Sequence, residues 1–175
     1  MGWVQGTLFP FTNLDVGVMK NFQRNPDLSV SEIKVRLFAM MVMGSILGDG
    51  SDFRDPIAVK RAQEFLNNEN VCRFFSHPKA FIPLKFADGD TPDQQLSFYL
   101  PGVTTQVALF NFDRKRDFRQ SFSRATLHLK THTAYFIKDF LTNKVVAQLN
   151  KEQNELTLTA APADALMVKL EAYGH

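Results

Sequence analysis

The 175-residue chain is 45% hydrophobic, which provides enough apolar material for a packed core and excludes a disordered protein. Its 20 basic and 18 acidic residues nearly cancel, so the composition predicts no nucleic-acid partner. The single cysteine, Cys72, excludes an internal disulfide and a cysteine-rich zinc site. No charge-free apolar run approaches the roughly 18 residues of a membrane span, so we expect no membrane partner either.

The first 28 residues are apolar but irregular. Gly6, Pro10 and Gly17 interrupt the pattern, which follows neither the period of a strand nor that of a helix. Such a pattern is typical of short extended pieces joined by turns.

Residues 29–56 form the stretch around which the rest of the chain is organised. Ser29 and Glu32 have the spacing of a capping box, in which each side chain bonds the backbone N–H of the other residue. The positions that follow are apolar nearly all round, which predicts a helix buried on several sides. The helical pattern stops at Gly48-Asp49-Gly50.

An acidic loop comes next and leads into a second helix. Asp49, Asp52, Arg54 and Asp55 all lie within this loop. Asp55 followed by Pro56 is the signature of a helix start, with Asp as the N-cap and Pro at the first helical position. We therefore predict that a buried helix, a short acidic loop and a second helix follow one another.

After residue 80 the sequence pattern changes to short β-forming segments. There are about eight of them: FIPLKF, QQLSFYL, TTQVALFNF, RATLHLK, TAYFIKDF, KVVAQL, NELTLTA and ALMVKLEAY. Regular short strands separated by turn signals predict an antiparallel sandwich or barrel. The segment from Val107 to Phe110 is apolar on both faces, so we expect it to be central or covered by helices. The predicted domains are residues 1–78 and 79–175.

Two polar clusters in the β region admit functional interpretations that we do not favour. His128 and His132 have the i, i+4 spacing of helical metal ligands, but in a strand they would lie about 13 Å apart. The basic run from Arg114 to Arg124 would suit nucleic acid, but Asp113 and Asp117 interrupt it as in a solvated hairpin loop. We expect neither a metal nor a cofactor.

The acidic loop is the one cluster with catalytic chemistry within reach. Two carboxylates about 5 to 10 Å apart can hydrolyse a glycosidic bond. However, Asp55 is already explained as a helix cap, and Asp49 lies in a glycine turn, where Asp is common. The residue chemistry alone leaves a functional loop and a structural loop both open.

The order of short motifs along the chain resembles the C-terminal part of an α-galactosidase (melibiase-type) glycoside hydrolase. The matching motifs are Asn13-Leu14-Asp15, Leu28-Ser29, Gly44 to Asp49, Asp52-Phe53-Arg54, Phe65 to Val71, Val107 to Asn111, Ile137 to Phe140, and Leu166 to Leu170. Such enzymes have a (β/α)8 barrel followed by an antiparallel β-sandwich. The resemblance implies an α+β fold, with an N-terminal helical remnant of the barrel packed on a C-terminal sandwich of about eight strands.

The resemblance also implies roles for individual residues. In such enzymes the catalytic aspartates lie on earlier barrel strands, so this chain is expected to begin after them and to lack a catalytic residue. Asp15, Asp49, Asp52 and Arg54 would be substrate-binding residues at the rim of a carbohydrate site. The full Trp-Asn-Asp-Pro-Asp run of the family is absent, and only Asn13 and Asp15 of it remain.

Two other functions remain open beside this non-catalytic glycosidase region. One is a sandwich that binds carbohydrate or protein, with aromatic residues such as Phe98 and Tyr99 as platforms. The other is a purely structural accessory domain.

We also expect a homo-oligomer formed through the N-terminal half. The segments Thr7 to Phe11 and Val35 to Leu47 are too apolar to face water, and open strand edges invite pairing with another chain. The competing arrangement is a monomer in which residues 1–28 fold back over the first helix.

Overall fold

The computed structural model describes residues 17–20, 27–85 and 95–174. Asp15 and the segment Thr7 to Phe11 lie outside these residues. The chain divides into two units between Phe81 and Ile82, whereas the predicted boundary lies between residues 78 and 79. The first unit contributes helices and the second antiparallel sheets, which confirms the α+β class.

The described part of the first unit contains three helices, α1 (Val30–Val42), α2 (Pro56–Phe65) and α3 (Glu69–Ser76). The predicted capping box is confirmed at the start of α1: Glu32 N donates to Ser29 Oγ at 3.2 Å, and Ser29 N donates to Glu32 Oε2 at 2.8 Å. Six apolar residues of α1 are buried, as its pattern predicted: Ile33, Leu37, Phe38, Met40, Met41 and Val42.

Helix α1 ends several residues before the glycine turn at which the sequence pattern stops. Gly44 has a φ of +64°, a left-handed conformation that ends helices and that residues with a Cβ rarely adopt. A Cβ on Gly44 would also lie 2.6 Å from Ala80 N. The returning chain packs against the end of the helix here, since Phe81 N donates to Val42 O at 2.8 Å.

The second unit contains eight strands among its described residues: β1 (Ile82–Lys85), β2 (Gln95–Leu100), β3 (Thr105–Asn111), β4 (Phe118–Ser123), β5 (Ala134–Asp139), β6 (Val145–Leu149), β7 (Glu155–Ala160) and β8 (Asp164–Tyr173). A six-stranded antiparallel sheet has the order β1-β2-β3-β8-β5-β6, and β4 pairs with β7 in a second sheet. Apolar side chains of both sheets form one core, which includes Leu109, Phe122, Ile137, Leu158 and Leu170.

Strand β3 is central and buried on both faces, as its apolar pattern predicted. One strand prediction was wrong: the RATLHLK segment forms turns, and His128 and His132 both have left-handed backbone with φ of 52° and 54°. Strand β4, just before this segment, was missed. Its alternation of buried Phe118 and Phe122 with exposed polar residues follows a charged loop that obscured the pattern.

Candidate functional site

The loop of residues 48–55 contains three of the four residues predicted to bind substrate. Its first part is tied to an earlier segment by a parallel β-bridge between Gly17 and Asp49. Gly17 N donates to Gly48 O at 2.9 Å, and Gly50 N donates to Gly17 O at 2.8 Å. A Cβ at Gly17 would lie 3.0 Å from Met40 Cε of α1 and 3.6 Å from Gly48 O, so Gly17 is closely packed between the helix and the loop. The backbone around Asp49 is therefore fixed on both sides.

The Asp49 carboxylate is only half satisfied. Its Oδ1 accepts a hydrogen bond from Ser51 N at 2.6 Å, the geometry of an Asx turn. Its Oδ2 is covered from solvent and has no hydrogen-bond partner among residues 17–20, 27–85 and 95–174. A buried polar atom without a partner loses its hydration and gains nothing in exchange, which costs about 1 to 3 kcal/mol. Native proteins seldom retain such an atom without a reason.

Asp52 and Arg54 pair with each other at the protein surface. Arg54 Nη2 donates to Asp52 Oδ2 at 2.8 Å, Arg54 Nε donates to Asp52 Oδ1 at 2.9 Å, and Arg54 N bonds the same oxygen at 3.0 Å. The hydrogen bonds from the Arg54 side chain and backbone lower the pKa of Asp52 to about 2. In return, Asp52 raises the pKa of Arg54. Both side chains thus stay charged, with the Arg54 side chain 92% exposed.

Asp55 has a structural role, as its sequence context indicated. Its carboxylate caps α2 by accepting from Ile57 N at 2.8 Å. It also forms a salt bridge with Lys20 Nζ at 2.9 Å. The Lys20 hydrogen bond, followed by the Ile57 backbone bond, lowers the pKa of Asp55. This carboxylate is engaged on both counts and is not available to a ligand in this arrangement.

The structure adds one residue that the sequence reasoning missed. Phe53 lies between Asp52 and Arg54 and is 49% exposed. An exposed aromatic ring within a charged loop is a surface on which a flat apolar face of a ligand can pack. The signal was present in the sequence as a phenylalanine inside an acidic run, but burial could not be read from it.

The remaining predicted site residues are not brought into this loop. Asp15 lies outside the described residues. Phe98 and Tyr99, suggested as aromatic platforms on the sandwich, are only 8% and 5% exposed, so that assignment was wrong. Tyr99 belongs to the sandwich core, where strand alternation alone could not tell an inward ring from an outward one.

Residues 17–20, 27–85 and 95–174 also bear on two other kinds of site, metal sites and membrane spans. No group of three or more His, Cys, Asp or Glu residues in these ranges could hold a metal ion. No helix among them is long and apolar enough to cross a membrane.

Comparison with known proteins identifies the fold but not a sequence family. No protein-family profile and no curated protein sequence matches the chain. An α-galactosidase from Saccharomyces cerevisiae aligns with a TM-score of 0.67 and 12% identity, covering 93% of this chain and 47% of that one. α-Galactosidase I from Mortierella vinacea aligns with a TM-score of 0.64 and 12% identity, covering 91% and 39%. A GH27 β-L-arabinopyranosidase from Geobacillus stearothermophilus gives 0.62 and 16%, covering 82% and 31%.

These alignments confirm the resemblance found in the sequence motifs, at the level of fold. The chain is similar to the C-terminal part of GH27 α-galactosidases and arabinopyranosidases. It spans between about a third and about half of the length of these solved structures.

Proposed function

We propose that this chain is a carbohydrate-binding, non-catalytic counterpart of the C-terminal region of GH27 glycosidases, and that its sugar site is the loop around Asp49. The observation that carries the proposal is the covered Oδ2 of Asp49, for which the described part of the chain offers no hydrogen-bond partner. A carboxylate oxygen with open acceptor capacity is suited to the hydroxyl groups of a sugar, which are its natural donors. Because Oδ2 is covered, the ligand must displace part of its cover on entering.

The position of Asp49 in the chain supports the assignment to a sugar site. In a (β/α)8 barrel, the loops at the carboxyl ends of the parallel strands build the active site. Asp49 makes a parallel bridge to Gly17, and the acidic loop follows at once. We propose that residues 1–78 are the end of such a barrel, and that Asp15, Asp49, Asp52 and Arg54 belong to its rim.

The ion pairs of the loop argue for binding rather than catalysis. Glycoside hydrolysis uses two carboxyl groups in different protonation states, one as acid and one as nucleophile or base. Asp52 is held by Arg54, and Asp55 is held by Lys20 and the α2 backbone. Both have lowered pKa values and so cannot act as a proton donor near neutral pH. Asp49 would be the single free carboxylate of the loop.

The proposal is tested by titrating the purified chain with galactose and with arabinose, followed by amide chemical shifts in NMR. Arabinose is a sensible second probe because the Geobacillus enzyme has been crystallised with it. We expect shifts at Gly48, Gly50 and Ser51. Asp49→Asn should weaken binding by about tenfold, because it replaces the charged acceptor by an amide nitrogen. Asp117→Asn, which changes an exposed carboxylate of the second unit, is the matched control.

Each alternative function has its own outcome in this experiment. Turnover of a chromogenic α-galactoside that is lost in Asp52→Asn would contradict the non-catalytic assignment. A chain that binds neither sugar, with Asp49→Asn indistinguishable from the unmodified chain, would favour a purely structural accessory domain.

We also propose that the chain forms a homo-oligomer through its N-terminal half. Val30, Ile46 and Ile57 are each about half exposed, which leaves apolar surface on this unit. Met41 is not part of that surface because it is completely buried within one chain. A dimeric mass in light scattering, reduced to a monomer by Ile57→Glu, is the expected result. A strictly monomeric mass in dilute solution would contradict it and favour the folded-back monomer.

A further inference from the structure

The six-stranded sheet carries a stacked aromatic pair on the face opposite the sandwich core. Phe136 of β5 and Tyr173 of β8 have ring centroids 3.8 Å apart and ring planes inclined by 12°. The sequence neighbours of Phe136, Tyr135 and Ile137, belong to the core, so strand alternation directs Phe136 outward. Both rings are partly exposed. Each ring has one face against its partner, which leaves its second face for another contact.

Hydrogen-bonding groups surround this pair on three strands. Lys138 Nζ donates to Glu171 Oε2 at 2.5 Å, and Lys169 Nζ lies 3.5 Å from Glu171 Oε1. Phe136 is directly opposite Glu171 in the register of β5 and β8. On the other side, Phe136 is opposite Gln148 of β6, whose Oε1 is 3.4 Å from Tyr173 Oη. The rings therefore lie between a charged group and an amide.

The charged side of the pair is held in a fixed state. The hydrogen bond from Lys138 lowers the pKa of Glu171, so its carboxylate remains an acceptor at neutral pH. Lys169 is further oriented by a hydrogen bond to Asn143 Oδ1 at 2.7 Å. These side chains present acceptors and donors at the edge of an apolar ring surface without needing to reorganise.

From this arrangement we infer a second binding site on the sandwich, in which the Phe136–Tyr173 pair packs against the apolar face of a pyranose ring while Glu171, Lys138 and Gln148 bond its hydroxyls. The site is independent of the Asp49 loop and does not rest on the function proposed for it. Its ligand class is a neutral sugar, the kind of molecule that combines a C–H face with a rim of hydroxyl donors and acceptors.

The composition of the surface disfavours two other ligand classes. A nucleic acid requires an excess of positive charge for its phosphates, whereas the two lysines here share one carboxylate. A stable protein interface buries about 800 Å² on each partner, far more than two rings and their polar neighbours provide.

The inference is tested by NMR titration of the intact chain with raffinose, up to tens of millimolar. We expect amide shifts in β5, β6 and β8, whether or not the Asp49 loop also responds. Phe136→Ala should reduce the association constant about tenfold, because it removes the stacking surface. Phe112→Ala, which removes another exposed phenylalanine of the same unit, should leave the binding unchanged. Tyr173→Phe keeps the ring and loses only the hydroxyl, so it should reduce the association constant two- to threefold. This conservative variant tests the site even if the alanine variant fails to fold.

Asp49→Asn separates this site from the one proposed in the first unit. The raffinose shifts on β5 and β8 should be the same in Asp49→Asn as in the unmodified chain. Absence of shifts on these strands, or shifts that persist unchanged in Phe136→Ala, would overturn the inference.

Discussion

The loop around Asp49 and the turns around Arg124 each place atoms of a charged side chain out of contact with water. The two side chains differ in how far these atoms are hydrogen-bonded. Arg124 is 5% exposed, and every nitrogen of its guanidinium donates to backbone carbonyls: Nε to Gln153 O at 2.7 Å, Nη1 to Lys130 O and Thr133 O at 2.9 Å each, and Nη2 to Asn150 O at 2.7 Å. Asp49 Oδ2 has no such partner in the part of the chain that the structure describes.

This contrast separates a structural charge from a candidate functional one. Arg124 bonds four backbone carbonyls in two loops, residues 130–133 and 150–153, and its guanidinium lies 5.7 Å from the centre of the Tyr135 ring. All the nitrogens of its guanidinium are hydrogen-bonded within its own unit. Asp49 Oδ1 accepts a hydrogen bond within its own loop, and Oδ2 remains able to accept another. This is the arrangement expected of a carboxylate that binds a ligand.

The largest expected effect follows from removing the Arg124 side chain. Arg124→Leu should lower the free energy of unfolding by about 3 kcal/mol, because four charge-assisted hydrogen bonds to backbone carbonyls are lost. Arg124→Lys should recover only part of this loss, since a single ammonium cannot span the same acceptors. Urea denaturation gives the measurement, and Arg116→Leu, at an exposed side chain, is the control. Equal free energies of unfolding for Arg124→Leu and Arg116→Leu would contradict the structural role assigned to Arg124.

Gly44 provides the next largest effect and concerns the helix that leads to the Asp49 loop. Gly44→Ala should lower the free energy of unfolding by at least about 1 to 2 kcal/mol, the cost of left-handed backbone for a residue with a Cβ. The 2.6 Å approach to Ala80 N adds to that cost. Gly102→Ala is the matched control, because a Cβ there makes only ordinary contacts. Thermal unfolding that shifts equally in both variants would contradict the assigned role.

Asp49→Asn should change stability in the opposite direction. The substitution keeps the bond from Ser51 N and removes an uncompensated negative charge, so the free energy of unfolding should rise by about 1 kcal/mol. Together with weaker sugar binding, this would be the pattern of a site that keeps a destabilising group for function. A loss of stability comparable to that of Arg124→Leu would show instead that Asp49 is structural.

The smallest effect is the acid titration of the Asp52–Arg54 pair. The pKa of Asp52 is lowered from 3.8 to about 2, so the stabilisation from this pair is present above the ordinary value and is lost as the pH falls toward 2. The pair is exposed, and its effect on global stability should be slight. In NMR, the Asp52 carboxyl should titrate near pH 2, and Arg54→Gln should move the midpoint back toward 3.8. A midpoint that does not move would mean that the ion pair does not form in solution.

Local signals in the sequence determined much of the fold. The capping box at Ser29, the cap and proline at Asp55, and the β-forming composition of seven of the eight predicted strands depend on neighbours a few residues away, so they can be read from a short window. The order of motifs also identified the resemblance to the C-terminal part of α-galactosidases.

Tertiary structure alone decided which polar groups are satisfied. The sequence predicted Arg124 to be part of a solvated basic run and the residues after it to be a strand. The acceptors of Arg124 lie up to 29 residues away, so no local pattern could reveal them. The missing partner of Asp49 Oδ2, the outward stack of Phe136 on Tyr173 and the burial of Tyr99 likewise depend on residues brought together from distant parts of the chain. Hydrogen bonding and burial are properties of such assembled surroundings, and residue order specifies them only through the complete fold.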